Sequence, residues 1–151
     1  MILNQWQQWQ CKWYSFLGAI MHMNPSIDYE KIIEELKKTN NLLTNQKASK
    51  WFIEKWYIKG IYNLRTYQIP IVLKRWIPVV WWLANTKWNN EPPYIIEEDN
   101  DWSHSIFLPQ QNSSDLFTIQ NSWWENWWDN GMCYIRKEDL KRIQSPCYLI
   151  I

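Results

Sequence analysis

The residue types that carry out acid–base and nucleophilic chemistry come closest together in one short segment of this sequence. Residues 101–105 read Asp-Trp-Ser-His-Ser, which brings a carboxylate, two hydroxyls and the imidazole of His104 into one pentapeptide. Catalytic triads are assembled in space from separate parts of a chain, so such a pentapeptide is more typical of a solvated loop. His104 could instead work with Cys133 or Cys147 as the nucleophile, although no local pattern favours that pairing.

Metal ligands and phosphate-binding loops are equally sparse. The chain has two histidines, His22 and His104, and three cysteines, and no pair of them stands at a ligand spacing. Its three glycines form no glycine-rich phosphate loop. Paired carboxylates such as Glu97-Glu98 are typical of a solvated acidic surface. The sequence therefore predicts a protein without a metal, without a cofactor and without catalytic activity.

Tryptophan sets this sequence apart, since 14 of the 151 residues are Trp, against 3 Gly and 4 Phe. Either tryptophan has been selected for packing and binding, or the codon UGA is read as Trp, as in some organelles and reduced bacteria. The low Phe content favours selection in an A-rich genome. One Trp side chain buries about 150–250 Å², so fourteen are hard to hide in a domain of this size. Exposed apolar patches mark contact sites, and Trp is enriched among interface hot spots. The sequence thus predicts a tryptophan-rich surface that binds another protein.

The predicted partner-binding surface lies on a short capped helix at 122–130. Ser122 and Glu125 have the spacing of a capping box, and Asn130-Gly131 is a helix-end signal. Between them four tryptophans form two i,i+4 pairs on one wide face. These partner-binding residues are Trp123, Trp124, Trp127 and Trp128.

Two other uses of the tryptophans stay open. Aromatic rings beside cations can stack on single-stranded nucleic acid, and the candidate residues for that alternative are Lys55, Trp56, Lys74, Arg75 and Trp76. A net charge of +1 gives the chain no broad positive surface for nucleic acid, and this disfavours the nucleic-acid-binding alternative. In the other alternative, the chain is a small subunit whose tryptophans pack against neighbours in a larger assembly. The sequence does not fix the oligomeric state.

Hydrophobic periodicity predicts a helical N-terminal half. An amphipathic helix spans 4–22, and a second spans 28–43 with Ser26 or Asp28 near its start, so that the two form a helical hairpin. Residues 46–59 are apolar on every side, which predicts a core helix ended by a left-handed residue at Gly60. A buried strand is the alternative, because periodicity alone does not decide between the two.

The C-terminal half is predicted to mix short elements. Pro78 opens a short helix over 78–83, and the polar, proline-containing stretch 89–93 is the clearest break in the chain. After the capped tryptophan helix come a strand at 132–135, a helix at 137–143 and a strand at 147–151. The fold class is therefore α+β and mainly helical, with short strands. We expect one domain over 1–151, with a soft division near 89–93, because about 60 residues alone would be marginally stable.

The number of cysteines and the hydropathy of the chain indicate its cellular compartment. Three dispersed cysteines are not a disulfide framework, and the N-terminal residues lack the pattern of a signal peptide. The most apolar run, 71–83, is interrupted by charges and a proline and is too short to span a bilayer. The sequence predicts a cytoplasmic protein that does not contact a membrane.

The opening segment 6–10 (Trp-Gln-Gln-Trp-Gln), the tryptophan content and the A-rich composition resemble retroviral accessory proteins. Foamy-virus Bet is the more similar, and lentiviral Vif the more distant. The resemblance is compositional and covers the whole chain. It implies a viral accessory protein in a host–virus interaction, binding a host antiviral factor such as a cytidine deaminase of the APOBEC3 type. The chain lacks the SLQ-type box and the His/Cys zinc pattern of Vif, so the resemblance implies sequestration rather than degradation.

Overall fold

The computed structural model of the chain describes residues 11–39, 45–90, 93–111, 115–120, 132–142 and 147–151. Four α-helices, two 3-10 helices and six strands lie in this part of the chain. In order they are α1 (Cys11–Met23), α2 (Tyr29–Lys37), α3 (Asn45–Glu54), β1 (Ile61–Leu64), a 3-10 helix (Thr66–Gln68), α4 (Ile69–Leu73), β2 (Val79–Asn90), β3 (Pro93–Gln111), β4 (Leu116–Gln120), β5 (Met132–Arg136), a 3-10 helix (Lys137–Arg142) and β6 (Cys147–Ile150).

Helices α1 and α2 lie in segments whose periodicity predicts helix. α1 ends at the Asn24-Pro25 pair, because the residue before a proline avoids the helical region. α2 begins after Asp28, whose side chain accepts a hydrogen bond from the backbone N–H of Lys31 at 3.1 Å. Asp28 rather than Ser26 is therefore the N-cap of α2.

Helix α3 ends earlier than its sequence predicts. It stops at Glu54, and the left-handed residue that follows is Trp56, with φ 62°, rather than Gly60. The tryptophan departs from the usual rule, because a bulky side chain at positive φ is uncommon and glycine is the residue expected there.

The six strands form one sheet in the order β1-β6-β2-β3-β4-β5. Strands β2 and β3 make a long antiparallel hairpin whose register runs from Val79 opposite Leu108 to Asn90 opposite Pro93. The polar stretch 89–93 therefore connects two paired strands of the same sheet. The other neighbours are also antiparallel, and the N-terminal end of β3 pairs in parallel with β5.

The prediction of a mainly helical domain with short strands is wrong. β2 and β3 are 12 and 19 residues long, and β2 includes most of 78–83, the stretch expected to be a short helix. Residues 101–105, expected to be a loop, lie within β3. The first half of β2 is a continuous apolar run, and such a run does not distinguish a buried strand from a helix. The acidic and polar residues of β3 give no regular alternation of apolar and polar positions, so its strand character is not visible in the sequence.

Two clusters of buried side chains lie on the two faces of the sheet. Val80 and Phe107 belong to the cluster that contains α1, α2 and α3, whereas Val79 and Ile106 belong to the cluster that contains α4. Successive residues of a strand point to opposite faces, so the two clusters are separated by the sheet. We call them the α1 face and the α4 face.

The C-terminal elements keep the predicted order of strand, short helix and strand, as β5, the 3-10 helix at Lys137–Arg142 and β6. The capped tryptophan helix predicted at 122–130 lies outside the described residues. Among the helices that the structure describes, none has the length and apolar character needed to cross a membrane.

Candidate active site

The contact between α1 and β3 contains the chain's best candidate for a nucleophile. Cys11 is the first described residue of α1, and its side chain is 2% exposed. The backbone N–H of Ser105, on β3, donates a hydrogen bond to the Cys11 sulfur. Burial raises the pKa of the Cys11 thiol, and the Ser105 amide and the charge of Lys12 oppose that shift. The site therefore contains both the desolvation that keeps a thiol neutral and donors that favour a thiolate.

A buried pair of hydroxyls joins the same two elements one helical turn further on. Ser15 Oγ and Ser105 Oγ are 2.7 Å apart, and Ser15 Oγ also donates to the backbone oxygen of Lys12 at 3.0 Å. Cys11 and Ser15 are four residues apart and lie on the same side of the helix. Ser105 therefore contacts the first turns of α1 through both its amide and its hydroxyl.

His104 directly precedes Ser105 in β3, and its backbone lies opposite Leu83 of β2. The histidine that the sequence singles out is thus next in the chain to the residue that contacts Cys11.

Cys133 and Cys147 lie on the α4 face, on the other side of the sheet from the Cys11 contact. All three cysteines are free and buried. Cys147 Sγ donates to the backbone oxygen of Leu64 at 3.1 Å, and burial raises its pKa to about 12. Burial also raises the pKa of Cys133 well above its usual value. Both thiols are therefore neutral near pH 7, which does not suit a nucleophile.

The described residues contain no group of three His, Cys, Asp or Glu side chains that could hold a metal ion. His22 lies on α1 with its ring centroid 6.4 Å from that of Phe107, and burial lowers its pKa. Its contact is thus to the core and not to other ligand-type side chains among those described.

The structure does not gather the five residues considered for nucleic-acid binding into one surface. Lys55 and Trp56 follow α3, which packs on the α1 face, while Lys74, Arg75 and Trp76 follow α4 on the other face. The ammonium of Lys55 lies 3.4 Å from a Glu35 carboxylate oxygen, an ion pair that falls short of hydrogen-bond geometry. The four tryptophans predicted to bind a partner, at 123, 124, 127 and 128, lie outside the described residues.

No family model and no curated protein matches this sequence. Solved structures of cysteine proteases do match the fold. The Carica candamarcensis cysteine protease CMS1MS2, solved in complex with E-64, has a TM-score of 0.69 at 12% identity, over 99% of this chain and 91% of that one. The digestive procathepsin L2 proteinase from the larval midgut of Tenebrio molitor has a TM-score of 0.67 at 13% identity, over 99% of this chain and 63% of that one.

Procathepsin L 3 from the same midgut has a TM-score of 0.65 at 11% identity, over 98% of this chain and 65% of that one. This chain thus spans less than two thirds of the two procathepsins. At these identities the likeness shows the fold, which is that of papain-like cysteine proteases.

These neighbours overturn two predictions from the sequence, the absence of an enzyme and a non-catalytic viral accessory protein that acts by protein binding. The neighbours are protease domains. The comparisons do not bear on the host deaminase implied by the resemblance, which stays a prediction.

The sequence predicts no enzyme because the residues around Cys11 lack most of a recognisable protease motif. Papain-like enzymes typically have Cys-Gly-Ser/Ala-Cys-Trp/Tyr around the catalytic cysteine, with His and Asn far downstream. Residues 8–12 here read Gln-Trp-Gln-Cys-Lys, which keeps only the second cysteine of that pattern. A usable signal was the chain order Cys11, His104 and Asn121, the last of which lies outside the described residues.

Proposed function

We propose that this chain is a cysteine-dependent peptide-bond hydrolase in which Cys11 is the nucleophile and His104 the general base. The observation that carries the proposal is the hydrogen bond from the Ser105 amide to the Cys11 sulfur, next in the chain to His104. That contact occurs in a fold shared with cysteine proteases. Neither the cysteine alone nor the fold alone would support the proposal.

The proposed reaction follows from the residue types. His104 takes the proton of the Cys11 thiol, the sulfur attacks the carbonyl carbon of a peptide bond, and His104 returns the proton to the leaving amine. The resulting thioester is then hydrolysed by water, which restores the thiol. Because burial raises the Cys11 pKa, a thiolate at pH 7 requires the imidazole as a partner.

Asn121 has a supporting role in the proposal. Asn121 follows β4 in the sequence and is the candidate to orient His104, by analogy with the Cys-His-Asn set of papain-like proteases. The sequence departs from the family pattern around Cys11, which makes thiol reactivity the sharpest test.

The test uses E-64, the compound bound to the Carica protease. We expect one E-64 adduct per folded chain, mapped by peptide mass spectrometry to Cys11 and absent from Cys11→Ala. Replacing His104 by Ala should slow labelling on the order of 10²–10⁴-fold, the usual contribution of a general base. Cys147→Ala is the matched control, since it removes a buried thiol on the other face and should label like the unsubstituted chain.

The denatured chain serves as the reference for access, because all three thiols should then react with iodoacetamide. An adduct on Cys133 or Cys147 of the folded protein would contradict the proposal. So would labelling of Cys11 that is equally fast in His104→Ala.

A further inference from the structure

We propose that the Ser15–Ser105 hydroxyl pair positions the Cys11 sulfur against the backbone amide of Ser105, so that both serines are positioning residues for the reactive thiol. The inference rests on the proposed function of Cys11 and assigns a role to two residues outside the reacting groups. Both serines are buried, with exposures of 3% and 1%. A hydroxyl pair in such surroundings keeps its geometry because neither group has water as an alternative partner.

The hydrogen bonds of the two hydroxyls link β3 to α1. Ser15 Oγ donates to the Lys12 backbone oxygen at 3.0 Å. Ser15 Oγ and Ser105 Oγ are 2.7 Å apart, and either oxygen could be the donor in that contact. The result is a hydrogen-bonded chain from β3, through Ser15, to the turn of α1 that holds Cys11.

The two contacts of Ser105 depend on each other. Its amide reaches the Cys11 sulfur and its hydroxyl reaches Ser15, one turn further along α1. With both bonds made, β3 is held to α1 at two points and cannot shift along the helix without losing one of them. Loss of the hydroxyl bond removes one of these two points and weakens the amide contact. Because the amide contact favours the thiolate form of Cys11, its weakening favours the neutral thiol.

The experiment measures the pH dependence of Cys11 alkylation by a small neutral reagent, read by peptide mass, in Ser105→Ala and in Ser15→Ala. We expect the alkylation profile of Cys11 to move to higher pH, with alkylation at neutral pH about tenfold slower. In a peptidase assay the same variants should lose kcat while KM stays unchanged, because the serines do not contact substrate.

Ser49→Ala is the matched control. Ser49 is also a buried helical serine, and its Oγ donates to the Gln46 backbone oxygen three residues earlier, at 2.9 Å, as Ser15 does to Lys12. It lies on α3, so it should leave the pH profile of Cys11 unchanged. If the two site variants lose stability but keep the Cys11 profile, the serines are only structural and the inference is overturned.

Failure of the two proposals can be told apart. Absence of E-64 labelling in the unsubstituted chain defeats the proposed function, while the alkylation profile of Cys11 still decides the role of the serines. Normal E-64 labelling with unchanged profiles in both serine variants defeats the positioning role alone.

An independent observation carries a second inference, and it concerns Trp56 and Trp76. Among the described non-glycine residues these two have positive φ, at 62° and 59°. Their side chains are 92% and 70% exposed, so neither is held in this conformation by burial. Bulky residues rarely adopt a left-handed backbone without such a constraint.

Both residues occupy the helix-end position that normally belongs to glycine. After α3, the Trp56 N–H donates to Ile53 O at 3.0 Å and the Tyr57 N–H donates to Phe52 O at 3.0 Å, the bonding typical of a Schellman motif. After α4, the Trp76 N–H donates to Leu73 O at 3.0 Å. The same exchange of Trp for Gly occurs in sequence at Trp9, where papain-like enzymes have glycine two residues before the catalytic cysteine.

We infer that positions 56 and 76 are glycine in the polypeptide made by the source cell, and that their codon is UGA read as glycine. Some genetic codes read UGA as Trp and others read it as Gly, so glycine at UGA codons would lower the count of 14 Trp and raise the count of 3 Gly. The inference does not depend on the proposed function, since it rests on backbone conformation.

Tryptic peptides of the protein isolated from its own cells give the test. Peptides 56–59 and 76–87 should each carry glycine at the first residue. Each peptide should therefore be lighter than its tryptophan form, by the difference in mass between an indolylmethyl group and a hydrogen atom. Peptide 51–55 is the control, because Trp51 is buried against Phe52 and Tyr57 and should keep the mass of tryptophan. Tryptophan at either position 56 or position 76 overturns the inference.

Discussion

The ring of Phe107 lies so close to Gly18 that no β-carbon fits between α1 and β3. A Cβ built on Gly18 would lie 2.6 Å from Phe107 Cε1 and 2.7 Å from Cδ1. Phe107 is 3% exposed and part of the core on the α1 face, so its ring can withdraw only by displacing other core side chains. The close approach of this helix to this strand also brings Cys11 to Ser105.

Replacing Gly18 by Ala should therefore destabilise the protein, although Ala is the better helix former by about 1 kcal/mol. We expect the free energy of unfolding to fall by about 1–3 kcal/mol, the usual cost of overpacking a core. Urea denaturation followed by circular dichroism measures it. Gly60→Ala is the control, because the nearest atom to its new Cβ is Tyr62 Cε2 at 3.8 Å, an ordinary contact. Equal effects at the two glycines would contradict the prediction.

Glycine at position 56 or 76 should stabilise the recombinant tryptophan-containing chain. Each substitution relieves a left-handed conformation that costs a residue with a β-carbon roughly 1–2 kcal/mol, and each removes an exposed indole. We expect the urea midpoint to rise for Trp56→Gly and for Trp76→Gly. By contrast, Trp51→Gly should lower the free energy of unfolding by about 3–5 kcal/mol, since Trp51 packs on Phe52 with ring centroids 5.0 Å apart. A lower midpoint for either exposed variant would count against the assignment of these positions.

Alkaline pH should unfold the protein partly through Cys147. Its thiol has an ordinary pKa of 9.0 and a folded pKa of about 12. The unfolded chain therefore loses this proton at lower pH than the folded chain does, and stability that is full below pH 9 falls as the pH rises toward 12. Unfolding free energies measured across this range should decline less steeply in Cys147→Ala. A slope that is the same in that variant would mean that other groups cause the loss.

Helix α2 should depend on the carboxylate of Asp28. Because Asp28 accepts a hydrogen bond from the Lys31 N–H, Asp28→Ala should lower the free energy of unfolding by about 1 kcal/mol, as expected for an N-cap. Ser26→Ala is the matched control two residues earlier, since the Ser26 hydroxyl donates to the exposed Asn24 side chain at 2.9 Å. Thermal denaturation compares the two, and a larger effect at Ser26 would show that the cap is misassigned.

The sequence predicts the parts of this fold that depend on local interactions. The apolar spacing of α2, with Ile32 and Leu36 buried, is a periodicity of one helix, and so are the proline and cap signals beside it. Strands β2 and β3 are not predicted because each depends on hydrogen bonds to the other strand of the hairpin and not on its own residues. The mixed polarity of β3 also leaves no regular alternation of apolar and polar residues.

The candidate site is non-local in the same sense. Ser15 and Ser105 are 90 residues apart, and the contact of Cys11 with β3 spans a similar length of chain. The sequence does single out His104 by its residue type. No local pattern joins it to Cys11, because flanking residues 8–12 lack most of the motif that would have marked the cysteine.

Strand β6 lies between β1 and β2 in the sheet, although it follows every other described strand in the sequence. During synthesis on a ribosome β1 emerges early, yet its partner Cys147–Ile150 is made more than eighty residues later. The edge of β1 that pairs with β6 stays unpaired during that interval. Pairing between strands so far apart in the chain is also slow to form. A nascent chain of this fold is therefore exposed to mispairing with other nascent chains, and a translation pause before β6 would lengthen that exposure.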